Sequence, residues 1–123
     1  MNTHLFNVRG AIICYQYSER VKSELIIAHK LLAGLNGLRG DFLSGAERMV
    51  LRYLDALMGE AEIAYGATKL RGFREASLRI SEAIGRVSLH DRSGANKCLS
   101  EAVSQVTDCG RKAFQFLREE GLL

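Results

Sequence analysis

From Leu43 to Ala64, the apolar residues Leu43, Ala46, Val50, Leu54, Leu57, Ala61 and Ala64 fall three or four apart without a break. That spacing lines one face of an α-helix, whereas in a strand it would scatter the same residues over both faces. Three further segments keep the same rhythm. Val21, Leu25, Ala28, Leu32 and Leu35 form one stripe. Phe73, Ala76, Ile80, Ala83 and Val87 form another, and Leu99, Ala102, Val106, Cys109, Ala113 and Leu117 a third. No proline interrupts them, and Gly34, Gly37, Gly40, Gly66, Gly72 and Gly94 supply the punctuation instead. Ala and Leu outnumber Val, Ile and Thr, which favours helix over a sandwich or barrel. The expectation is an all-α fold. One domain spans 1–123 as an antiparallel up-down-up-down four-helix bundle, with helices at about 11–35, 42–67, 73–90 and 95–120. Ser44 with Glu47 reads as a capping box for the second helix. Asp91 or Ser93 suits the N-cap of the fourth.

The longest early apolar run, Ala11 to Tyr15, is too short for a signal-peptide core or a bilayer span, so a soluble, cytoplasmic chain is expected. The three cysteines, Cys14, Cys98 and Cys109, have no paired spacing. Cys98 and Cys109 would lie about 16 Å apart along one helix, beyond disulfide reach, and buried reduced thiols are expected. No HExxH, CxxC, GxSxG or P-loop pattern occurs, which points away from an enzyme, a metal site and a cofactor. His29 and His90 would fall toward one end of the bundle, near Asp41 and Asp91; that is the one arrangement in which a metal site is conceivable. His90 is otherwise expected to complement the carboxyl end of its own helix.

Net charge is +3, unevenly spread, and residues 69–97 hold seven bases against three acids. Glu75 precedes Arg79, and Glu82 precedes Arg86, by the four residues that suit helical ion pairs. The remaining cations cluster near the helix ends. Alternating helix direction would gather Arg9, Lys69, Arg71, Arg74 and Arg118 at one end, and Lys30, Arg39, Arg92 and Lys97 at the other. Phosphate binding needs several cations acting together, so a ring of subunits would make such poles effective. Tyr15, Tyr17, Tyr53 and Tyr65 are candidates for base stacking, or for packing at helix seams with the hydroxyl at the rim.

Ile63-Ala64-Tyr65-Gly66, the basic linker Lys69-Leu70-Arg71 and the run from Phe73 to Ile80 form one distinctive block. The run from Asp108 through Gly110-Arg111 to Arg118 forms a second. Over about residues 17–118 the chain resembles the small bacterial four-helix-bundle family that holds the 23S rRNA intervening-sequence proteins and the accessory variability determinant proteins of diversity-generating retroelements. The intervening-sequence group reads Ile-Ala-Glu-Gly where this chain has Tyr65 before Gly66, which inclines the reading to the accessory branch. Leu35-Asn36-Gly37 stands where both groups commonly carry a proline.

The resemblance implies a non-enzymatic homopentamer that binds a reverse transcriptase and its template RNA. It carries over as charge only, at Lys69, Arg71, Arg74 and Arg111, and for Arg111 a structural contact is the stronger expectation. The expected nucleic-acid contacts are thus Lys69, Arg71, Arg74, Arg111, Arg118, Arg9, Arg92 and Lys97, with RNA as the favoured partner. The alternative is an interaction scaffold of the intervening-sequence type that makes no direct contact with nucleic acid. Ile12, Ile13, Ile26, Ile27, Leu31, Leu51, Leu70 and Leu78 exceed what one stripe per helix needs, and predict self-association in either case.

Overall fold

The computed structural model describes residues 6–123. Asn7 caps the first helix, its side-chain oxygen accepting the Gly10 N–H at 2.7 Å. Helix α1 then runs Val8–Ala33, α2 Gly40–Thr68, α3 Arg71–Ser88 and α4 Arg92–Glu119. No strand is present among the described residues. Each helix starts two or three residues before the expected boundary; α1 and α4 carry a side-chain cap there, α2 and α3 none. Asp91 shows this for α4 and accepts the Gly94 N–H at 2.9 Å. The capping box expected at Ser44 and Glu47 is not formed. Helix α2 already begins at Gly40, so Ser44 lies inside it, and Glu47 turns toward α3 and meets His90 Nδ1 at 3.1 Å.

The helices pack as a bundle in which α1 touches α2 and α4, and α3 touches α2 and α4; the diagonal pairs do not meet. The four stripes close on one core, filled by Leu25, Leu32, Leu54, Phe73, Ile80 and Leu99 among others. Only Leu43 and Ala46 of the expected stripe residues stay half-buried. Following α1 from Cys14 to Ser18 to His29, the α4 partners are Cys109, Val106 and Asn96. Along α2, Glu47 meets His90 and Glu62 accepts from Ser77.

Two glycines set how near α4 comes to its neighbours. A Cβ on Gly72 would sit 2.5 Å from Cys109 Sγ and 3.0 Å from the Gln105 carbonyl oxygen. A Cβ on Gly110 would collide with the Ser18 hydroxyl. The absence of both side chains lets α4 approach α3 and α1, and burial of those faces follows.

Of the surplus apolar residues, Ile12, Ile26, Ile27, Leu31 and Leu78 are exposed, while Ile13 and Leu51 are half-buried. Leu70 departs from the expectation: it is 9% exposed and belongs to the core. No helix among the described residues is long and apolar enough to cross a membrane.

Candidate nucleic-acid interface

The turn between α2 and α3 is shorter than its glycines suggested. Gly66 stays within α2 and Gly72 within α3, so only Lys69 and Leu70 connect the helices. Thr68 bridges the break: its hydroxyl donates to the Ala64 carbonyl at 2.8 Å and accepts the Leu70 N–H at 3.2 Å. Lys69 ends α2 in the left-handed region, at φ 60°, with its N–H donating to the Tyr65 carbonyl at 2.7 Å. A lysine there gives up about 1–2 kcal/mol relative to a right-handed conformation. Leu70, extended and buried, then pins the turn into the core.

This local geometry sets the positions of the cations around it. Lys69 Nζ lies 5.9 Å from the centre of the Tyr65 ring, and the Arg74 guanidinium lies 5.7 Å from the same ring. Two cations within about 6 Å of one aromatic face attract it electrostatically. Arg71, one turn before Glu75, pairs with it at 3.6 Å while its side chain remains 88% exposed. Such a surface pair is worth about 0–1 kcal/mol and leaves the guanidinium open to competitors. Lys112 was not singled out from the sequence. It lines a hollow of about 240 Å³ together with Arg71, Glu75 and Asp108. It lies within the Asp108–Arg118 block, but only its position on the α4 face that meets the start of α3 places it with these cations.

The other expected contacts are dispersed. Arg111 pairs with Asp108 on its own helix and stays largely exposed. With Arg118 and Phe114 it lines a separate hollow of about 500 Å³ on α4. Phe6 and Phe116 meet with ring centres 5.8 Å apart and planes tilted by 53°, which brings the region just before α1, and so Arg9, beside the end of α4. From Cys109, level with Gly72, α4 continues to Arg118 for about 14 Å at 1.5 Å per residue. The cations around Lys69 and those around Arg118 are therefore stepped rather than coplanar. Arg92 is half-buried and donates to Asn36 Oδ1 at 3.1 Å, tying the start of α4 to the α1–α2 connection. Lys97 is exposed.

The expected pairing of Glu75 with Arg79 is not formed. Glu75 turns back to Arg71, and Arg79 reaches Glu82 at 3.2 Å and Glu101 at 4.0 Å. Arg86 does meet Glu82, at 3.7 Å.

His29 and His90 have separate partners. His29 Nδ1 meets Asn96 Oδ1 at 3.0 Å, and His90 meets Glu47; neither meets Asp41 or Asp91. Asp91 instead caps α4 and pairs with Arg86 at 3.2 Å. No group of three or more His, Cys, Asp or Glu side chains that could hold a metal ion occurs among the described residues.

All three cysteines are buried and free. Desolvation pushes the Cys14 thiol up to about 12, helped by the neighbouring Cys109, and raises Cys98 and Cys109 as well. Thiols held protonated in this way are poor nucleophiles.

A carboxyl pair lies in the α1–α2 seam. Burial pushes Glu24 up to about 7, reinforced by a hydrogen bond with Glu60 and by the charge of Glu60, and opposed by Arg20. Arg20 itself pairs with Glu60 at 3.0 Å, and the Tyr53 hydroxyl donates to the Glu24 backbone carbonyl at 3.3 Å.

Comparison of the chain with family models, curated proteins and solved structures finds no match.

Proposed function

We propose that this protein is a non-enzymatic, oligomeric nucleic-acid-binding accessory protein of the cytoplasm, with RNA as its favoured ligand. The observation that carries the reading is the α2–α3 turn, where Lys69 and Arg74 flank the ring of Tyr65. An aromatic ring with two cations close to it, beside the exposed Arg71, gathers charge for phosphates, and a base could stack on the ring by displacing one of those cations. Arg111, Arg118 and Arg9 extend the basic surface along α4 and the start of α1, and Lys112 adds a cation beside Arg71. The resemblance described above adds a reverse transcriptase as protein partner and five as the subunit number. An antiparallel up-down-up-down order belongs to the same reading. The α4 partners of Cys14, Ser18 and His29 descend as α1 ascends, which supports it.

The test is RNA binding at low and at moderate ionic strength. Affinity falls steeply with salt if phosphates are contacted. The triple variant Lys69→Glu, Arg71→Glu and Arg74→Glu weakens binding at least tenfold while helical content is kept, since all three side chains are exposed. Undetectable binding at low salt rejects the proposal; unchanged affinity in the triple variant removes the turn from it.

A second reading, an interaction scaffold without nucleic acid, is favoured by the exposed aliphatic residues Ile12, Ile26, Ile27 and Leu31 on α1. A raised ultraviolet absorbance ratio from co-purified nucleic acid separates the two.

A further inference from the structure

Helices α1 and α2 and their connection border a groove of about 590 Å³ with an apolar lining: Leu31, Leu35, Ala46, Met49, Val50 and Tyr53. Met49 is 65% exposed, so this floor lies open. The only charged residues lining it are Lys30 and Arg52, both cations and neither ion-paired among the described residues. The groove thus calls for an apolar segment carrying negative charge.

The far end of the same chain has that composition. Glu119 and Glu120 finish α4, Gly121 turns the backbone at φ 77°, and Leu122 and Leu123 follow, 54% and 65% exposed. The Leu122 N–H donates to the Leu117 carbonyl at 2.9 Å, the six-to-one bond of a Schellman turn. The two leucines are therefore presented from a fixed stub.

The stub cannot reach its own groove. Phe116 packs against Phe6, just ahead of α1, whereas Lys30 lies about 33 Å further along α1 at 1.5 Å per residue. Four residues past Glu119 extend at most about 14 Å. Only another molecule can supply this segment to the groove.

We propose that the Glu119–Leu123 segment of one copy docks in the α1–α2 groove of a second copy, its leucines on the apolar floor and its two carboxylates against Lys30 and Arg52. The contact joins unlike surfaces, so it either closes as a reciprocal two-fold pair or propagates into a ring or an open chain. It rests on the oligomeric part of the function proposed above and names the surfaces that part requires.

The experiment is the mass in solution of three full-length proteins by light scattering: the parent, Met49→Glu, and the double variant Leu122→Asp and Leu123→Asp. All three altered side chains are exposed, and circular dichroism checks that the helices are kept. The parent is expected as a multi-subunit species and each variant as a 13.6 kDa monomer. Mixing the variants leaves one sound tail and one sound groove, so the mixture yields a species of twice the monomer mass that grows no further. A multi-subunit parent whose tail variant remains multi-subunit overturns the docking and leaves the oligomer standing. Monomeric variants that stay monomeric when mixed overturn the docking too. A monomeric parent overturns both.

Discussion

Ser18 donates its hydroxyl to the carbonyl of Val106 at 2.7 Å, across a gap between α1 and α4 that exists because residue 110 has no side chain. Gly110→Ala therefore forces the helices apart or displaces the serine, and is expected to destabilise by about 1–3 kcal/mol in urea unfolding. Ser18→Ala alone costs about 1 kcal/mol for the lost bond. In the double variant the hydroxyl that would collide is gone, so the two costs sum to less than their separate values.

Gly59 presents the opposite case. It lies inside α2, and a Cβ there meets nothing within 4 Å. Gly59→Ala removes backbone freedom from the unfolded chain without disturbing a neighbour. Stability should rise by about 0.5–1 kcal/mol, read as a higher urea midpoint at unchanged slope.

Lys69 links stability and the proposed function. Lys69→Gly relieves the left-handed strain at φ 60° and removes a cation from beside Tyr65. Thermal unfolding should move up while RNA affinity falls. An RNA affinity equal to that of the parent would show that this ammonium group makes no contact.

Glu24 gives a pH dependence of definite sign. Its folded-state value of about 7 lies above the ordinary 4.5. The folded chain therefore holds an extra proton between those values, and this group's contribution to stability falls as pH rises through that window. Glu24→Gln removes the decline. The variant should unfold at a higher temperature than the parent at pH 8, with the advantage gone below about pH 4.5.

The helices were legible because burial in a bundle imposes a 3.6-residue period that these apolar side chains keep, with Ser18 and Ser77 the buried polar exceptions. Val21, Leu54, Ile80 and Val106 each stand where that period puts them, and each is fully buried. Capping was legible only in part. Asp91 serves α4 as its position suggests, even while pairing with Arg86, whereas α2 starts four residues before Ser44 and Glu47 meets His90, 43 positions away. The cations fared likewise. Their number near residue 71 is a property of the sequence, but Glu75 chose Arg71 over Arg79, and Lys112 joined them from another helix. Spacing along a chain encodes neighbours within a helix and carries nothing about the residue that faces it.

Because α4 overshoots the α2–α3 turn by about 14 Å, the bundle terminates in a stair, with Lys69 on the lower tread and Arg118 on the upper. That rise equals about four phosphates at the roughly 3.4 Å axial spacing of a B-DNA strand. If the proposed RNA contacts both treads, it climbs along the flank of α4, and its shortest bound length follows from the shared overhang of α1 and α4.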